Sequence, residues 1–308
     1  MQRVDIKIGF SCNNRCLFCV QGDKREHHGP RPAERIREDL REGRRAGATA
    51  IVITGGEPTM QRSLRATVRA ARALGYRTVQ VQTNGRLLAY ERLCQQLVDD
   101  GANEFSPALH GSTARIHDGL TRAPGSYDQT VAGLRALVAL DQRVITNTVI
   151  TSHNFRDLPA LARLLVDLGA CQYQFAFVHI LGTAAEHREN LVPRKGDVMP
   201  FVKEGLDLGR AAGVRCMTEA IPYCLMGGYE EHVAERIIPV TRVFDADQTV
   251  RDYTAYRLAE GKVHGPPCEA CALTDRCEGP WREYPELYGW DEFTPVEAVP
   301  KVLREGSG

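Results

Sequence analysis

Three cysteines open the chain's chemistry: Cys12, Cys16 and Cys19 in "FSCNNRCLFC", spaced C-x3-C-x2-C directly after a β-rich run. Thiolates are soft ligands, and three of them can hold three irons of a cubane cluster while leaving the fourth iron open to an exogenous ligand. A structural zinc site asks instead for a fourth protein ligand, which His27 or His28 would have to supply. A second group, "CEACALTDRC", places Cys268, Cys271 and Cys277 at C-x2-C-x5-C spacing near the C-terminus. Cys224, in "IPYCLMGGYE", is the best fourth thiol there, with Cys216 as its competitor. Four thiolates close a site, and that set suits zinc as well as a four-iron cluster. Cys94 and Cys171 read as packing thiols.

The elements that must position these groups follow from periodicity. β-rich runs at 4–10, 50–54, 77–83, 103–110, 143–151 and 173–181 alternate with segments of helical spacing such as "ERIREDLREGRRAG" and "RSLRATVRAARALG". Gly47, Gly75, Gly101 and Gly169 stand where helices should stop. Strict β/α alternation implies a parallel sheet with right-handed crossovers, open or rolled into a barrel, whose ligand sites lie at the C-terminal ends of its strands. Cys12, Cys16 and Cys19 fall on that rim. After residue 180 one more helix ("DVMPFVKEGLDLGRAAG") and a short strand ("VRCMTEA") are expected, then irregular chain to about 295 that would benefit from a metal staple. The final "REGSG" reads as a loose tail.

Composition narrows the function classes. With 308 residues, 43% hydrophobic and 25% charged, the chain is of ordinary globular type. Lys plus Arg and Asp plus Glu are 39 each, so bulk charge favours no polyanionic partner and argues against RNA or DNA. No apolar run is long enough to span a membrane and "MQRVDIKIGF" lacks a signal-peptide core, so a cytoplasmic location is expected. In that reducing compartment clustered cysteines read as metal ligands and not as disulfides.

Further motifs fall in order along the rim: "GGEP" (55–58) after the second strand, "QTNG" (82–85) after the third and "SPALHGS" (106–112) after the fourth. Together with the C-x3-C-x2-C spacing and Phe18 between its last two thiols, they resemble the signature of the radical S-adenosylmethionine (SAM) superfamily over roughly residues 4–181. The resemblance implies a partial (β/α)6 TIM-like barrel and a four-iron cluster on Cys12, Cys16 and Cys19 that binds SAM. It further implies SAM contacts from Phe18, Gly55, Gly56, Glu57, Pro58, Asn84, Ser106 and Asn147. Glycines let backbone approach a ligand and a carboxylate suits an ammonium, so Glu57 is expected near the methionine amine. The implied chemistry is one-electron cleavage of SAM to a 5'-deoxyadenosyl radical that takes a hydrogen from substrate.

The C-x2-C-x5-C set followed by "EGPWREY" resembles the auxiliary-cluster region of the SPASM and twitch subfamilies. The full SPASM pattern carries more cysteines than the four here, which implies one auxiliary four-iron cluster on Cys224, Cys268, Cys271 and Cys277. The expected division is a barrel over 1–215, an auxiliary-cluster region over 216–298 and a tail over 299–308. A small biosynthetic intermediate is the expected substrate, because the chain starts at the first barrel strand. A peptide precursor is the close rival, a non-catalytic iron-sulfur or zinc protein the rival of another class. Flavodoxin or ferredoxin is the expected reductant. His110, His117 and Arg122 are candidate contacts in a polar substrate loop, "KREHHGPRP" a basic patch for an anion, and Tyr223, Tyr229, Trp281 and Tyr284 candidate lining of the barrel mouth.

Overall fold

The structure, a computed structural model, describes residues 2–304; the last four residues of the expected tail, 305–308, lie outside the described residues. Six strands form where the periodicity predicts them: β1 Arg3–Lys7, β2 Ala50–Thr54, β3 Thr78–Thr83, β4 Glu104–Pro107, β5 Arg143–Ile150 and β6 Gln172–Phe177. The "VRCMTEA" strand is β7 Arg215–Glu219. Each pairs parallel with the one before it. Predicted residues past the strand ends, such as 8–10 and 108–110, are rim loops instead.

The C-terminal region corrects one expectation. It is not irregular throughout: β8 Thr241–Phe244 pairs parallel with β1, and β9 Thr249–Val250 folds back on it antiparallel. The order is β7-β6-β5-β4-β3-β2-β1-β8-β9, a curled sheet that does not close, as a partial barrel requires. The boundary expected at 215/216 therefore falls at the first residue of β7, and β8 joins the barrel sheet from beyond it. Residues 301–304 of the expected tail form a helical turn with Leu303 buried.

Strand alternation sorts the side chains. Val4 and Ile6 of β1 face the helix Ala33–Arg45, while Asp5 and Lys7 face the lumen. A Cβ on Gly43 of that helix would sit 2.7 Å from Val4 Cγ1 and 2.6 Å from Tyr76 Oη, so only glycine lets the helix settle on the strand. On β6, Tyr173 and Phe175 pack on the helix Lys195–Ala211, with Tyr173 Oη donating to Gly205 O at 2.5 Å, leaving Gln172 and Gln174 inside. All of β2, "AIVIT", is buried, as expected of a parallel strand covered on both faces. The four predicted stop glycines adopt φ between +83° and +108°, the left-handed turn that ends a helix.

Between β7 and β8 the sheet is open, and the short helix Tyr253–Tyr256, continued by the turn Arg257–Gly261, covers that side. Tyr253 is held within the fields of both Glu219 on β7 and Asp5 on β1. No helix among the described residues is long and apolar enough to cross a membrane.

Candidate active site

Cys12, Cys16 and Cys19 sit together on the loop after β1, each partly exposed. Burial raises the Cys16 thiol, and its two neighbours Cys19 and Cys12 raise it further. Such mutual repulsion is relieved when a cationic iron centre takes the thiolates. Asn14 N donates to Cys12 Sγ at 3.4 Å. The loop is stitched down by Arg15 N to Thr121 O (2.8 Å), Leu17 N to Leu120 O (3.0 Å) and Thr183 N to Cys19 O (3.0 Å). Arg25 Nη1 and Arg86 Nη1 reach Asn14 O and Asn14 Oδ1, each at 3.0 Å. Sequence reasoning missed both arginines, since neither spacing nor composition marks a loop brace. His27 and His28 face Asp23 (3.3 Å) and Asp247 (3.1 Å). The basic patch is likewise paired, with Lys24 Nζ 2.9 Å from Asp245.

The glycine-rich loop meets the thiol loop backbone to backbone. Gly56 N donates to Gly9 O and Glu57 N to Ser11 O, both at 2.9 Å. A Cβ on Gly56 would stand 2.2 Å from Phe10 O, and one on Gly55, at φ +135°, 2.1 Å from Gly9 O. The close approach these glycines permit is thus to the chain's own thiol loop. Because the obstacle is backbone, no rotamer relieves it: Gly56→Val is expected to cost about 3 kcal/mol in urea unfolding and to lower bound iron after reconstitution. A variant with wild-type midpoint and iron content would contradict this.

Glu57 is 1% exposed, its Oε1 accepting from Thr59 N (3.0 Å), Thr59 Oγ1 (2.5 Å) and Thr83 Oγ1 (2.6 Å), its Oε2 from Asn84 N (2.6 Å). Burial pushes the carboxyl up against the pull of those donors. Glu57 ties the GGEP loop to the QTNG loop, while the buried Pro58 starts the turn Pro58–Met60. Asn84 in turn donates to Asn13 Oδ1 at 2.6 Å, with the same nitrogen 3.9 Å from Cys12 Sγ.

Ser106 on β4 and Asn147 on β5 face the lumen, where Asn147 Oδ1 and, beside the thiols, Gln21 Oε1 are buried without a protein partner. Unpaired acceptors are the state of groups that meet a ligand, and with the three thiols they fit a site for SAM on an iron-sulfur cluster. Phe18 lies edge-on to His110, ring centroids 4.5 Å apart. The polar segment expected as a substrate loop is instead the helix Ala114–Thr121, and its His117 turns inward to accept from His110 N at 3.0 Å. Burial lowers His117 to about 4, below its ordinary 6.5. The folded protein then binds fewer protons than the unfolded chain between those values, so this stability is complete above pH 6.5 and lost as pH falls toward 4. Wild type is expected to lose about 3 kcal/mol more than His117→Asn across that window in urea unfolding; parallel curves would refute it.

Cys224, Cys268, Cys271 and Cys277 line one small pocket with Tyr223, His264 and Phe293. Burial, then Cys277, Cys271 and Cys268, push the Cys224 thiol up to about 12. Val296 N reaches Cys271 Sγ and Gly279 N Cys277 Sγ, each at 3.4 Å. Cys216 is buried elsewhere, its thiol on Leu206 O. Cys94 packs against Leu88 O, while Cys171 is exposed and not a packing thiol. Trp281 stacks on His179 at 3.7 Å, Tyr284 is core, and Tyr229 lies on the outer helix against Asp207, away from the mouth.

A parallel partial barrel with three thiols on the loop after its first strand defines a cofactor-dependent enzyme of the barrel class. The model of the radical SAM superfamily matches residues 6–165, and the chain belongs to that superfamily: it is an enzyme that uses SAM and a four-iron cluster. It is similar to the AdoMet-dependent heme synthase of Methanosarcina barkeri, 26% identical over 184 residues, 59% of this chain and 52% of that one. It is also similar to a probable GTP 3',8-cyclase of Methanopyrus kandleri, 28% identical over 203 residues and 65% of each chain. The matches thus span about half to two thirds of these relatives' lengths. Among solved structures, Streptococcus suis SuiB bound to precursor peptide SuiA shares the fold at TM-score 0.67 and 15% identity, over 96% of this chain and 75% of that one. The anSMEcpe structure with AdoMet and the Kp18Cys peptide aligns at 0.59 and 17%, over 70% and 63%.

Proposed function

We propose that this enzyme oxidises, or forms a bond in, a small biosynthetic intermediate after abstracting one hydrogen, with SAM held on Cys12, Cys16 and Cys19 and a second four-iron cluster on Cys224, Cys268, Cys271 and Cys277. The bound groups supply one-electron cleavage of SAM at the first site and an acceptor for the substrate's spare electron at the second. The chain's own part is positioning and exclusion of water. Phe18, Asn84, Ser106 and Asn147 orient SAM from the lumen face, Gly55, Gly56 and Pro58 bring the second loop against the thiols, and Glu57 fixes that loop from behind. Residues 216–298 form the auxiliary-cluster region, and a flavodoxin or ferredoxin supplies the electron.

The supporting observation is the convergence of four thiols on one cavity in the segment that follows the barrel, because full thiolate ligation leaves no iron open to substrate and suits electron transfer. A peptide substrate is the second reading, favoured by the fold shared with peptide-bound SuiB along nearly the whole chain. The test is 5'-deoxyadenosine release by reconstituted protein with SAM and dithionite, with the small-molecule filtrate or the peptide fraction of a cell extract added. Stimulation by the filtrate supports the first reading, stimulation by the peptide fraction the second. No release from iron-loaded protein under any condition would overturn both.

A further inference from the structure

The loop after β6 runs between the two groups of thiols. His179 lies two residues past Phe177, the last residue of that strand, at the C-terminal rim where a parallel barrel places its ligands. Four residues further on, Thr183 N donates to Cys19 O at 3.0 Å. On its other side the His179 ring stacks on Trp281, centroids 3.7 Å apart and planes within 6°, and Trp281 comes four residues after Cys277. Trp281 is held in place, buried, bridged antiparallel to Lys262 and donating from Nε1 to Phe177 O at 3.5 Å.

The stack leaves the imidazole nitrogens uncommitted. Nε2 is buried without a hydrogen-bond partner and faces Glu283 Oε2, itself buried and unpartnered, across 3.9 Å, too far for a hydrogen bond. Hydrogen bonds of this kind are often long in a free enzyme and tighten when the substrate binds. Nδ1 makes no hydrogen bond among the described residues, and the side chain keeps 20% of its surface exposed. A carboxylate at one imidazole nitrogen fixes the tautomer with its N–H turned that way, and the other nitrogen then offers a lone pair. Burial pushes the Glu283 carboxyl up, and an N–H from the ring would relieve it. The cations at hand are Arg282, which bonds Ala259 O through Nη2, and Lys262, whose Nζ lies 4.1 Å over the Trp281 ring. Burial and then Lys262 lower His179 to about 4, so the ring is neutral at neutral pH and its lone pair is free.

We infer that His179 is the base that takes the proton released by the substrate, with Glu283 its positioning residue. This rests on the proposed function, and both of its outcomes release that proton. In an oxidation, a C–H and a neighbouring X–H become C=X; in a bond formation, a C–H and an X–H become C–X. Either way one hydrogen atom goes to the 5'-deoxyadenosyl radical, one electron to the second cluster and one proton to His179. Loss of the electron makes the remaining X–H a far stronger acid, so a weakly basic imidazole suffices.

The test uses reconstituted protein with SAM, dithionite and whichever fraction of cell extract, small-molecule filtrate or peptide, stimulates the wild type. His179→Phe keeps a ring on Trp281 and removes the nitrogens. It is expected to form 5'-deoxyadenosine in the first turnover, to fall about a hundredfold in later ones, and to accumulate an organic radical signal in electron paramagnetic resonance that the wild type lacks. Added imidazole should restore turnover to His179→Ala and not to His179→Phe, and Glu283→Gln should lose about tenfold, with Glu283→Asp nearer the wild type. Wild-type turnover by His179→Phe, an iron-loaded His179→Phe that forms no 5'-deoxyadenosine even once, or a loss without radical signal and unmoved by imidazole would overturn the inference and leave the proposed function standing. Should His179→Phe fail to load iron, Glu283→Gln decides, and its turning over like wild type would overturn the inference. If neither fraction stimulates the wild type, the proposed function falls and this inference with it.

Discussion

Cys16→Ala protein, reconstituted anaerobically and given SAM and dithionite, is expected to release no 5'-deoxyadenosine above the background of protein-free controls. Cys16 is partly buried on the loop after β1, and its raised pKa comes from burial and from Cys19 and Cys12 beside it. Alanine leaves two thiolates where three irons need ligands. The nearby carboxylate of Glu57 is no substitute, being enclosed by its own donors. The iron-sulfur absorbance of the first site should disappear with the activity, while the hydrogen-bonded loop contacts keep the fold. Product at the wild-type rate would remove this loop from catalysis.

Cys271→Ala is expected to have the next largest effect, on iron content and stability together. On the proposed count of two cubanes, loss of one should lower iron per chain by about half. The segment from Pro266 to Pro280 has little regular structure and is drawn around the four-thiol pocket, so loss of a metal there should also lower the melting temperature of that region and expose it to protease. Cys216→Ala, whose thiol meets Leu206 O and His232 Nδ1 and none of the other cysteines, serves as the control that leaves iron unchanged. Equal iron in Cys271→Ala and wild type would refute the second cluster.

How much of this was legible beforehand depends on the range over which each signal acts. Strands β1 to β7 carry their own periodicity, and the thiol, GGEP and QTNG motifs are local, so their order along the rim could be read directly. β8 could not. "TRVF" is four residues long and becomes a strand only because the edge of β1 is free to receive it. The tie made by Glu57 was hidden for a related reason: its partners Thr83 and Asn84 arrive from the next loop, and nothing in "GGEP" announces them. The same applies to His179, whose significance comes from Trp281 and Glu283, both on a much later segment. His117 fell in a stretch that reads as polar loop because its helix is short, and its burial is a tertiary outcome.

The pairing of β1 with β8 also bears on how the molecule is made. Arg3 and Thr241, hydrogen-bonded side chain to side chain, are 238 positions apart. During synthesis β1 gains β2 early, yet its other edge stays open until most of the chain has left the ribosome. An unpaired edge of that duration is a site for pairing with foreign strands. The strand that positions the oxygen-sensitive centre is thus the last in the barrel to be enclosed, which joins cluster insertion and the completion of folding in time.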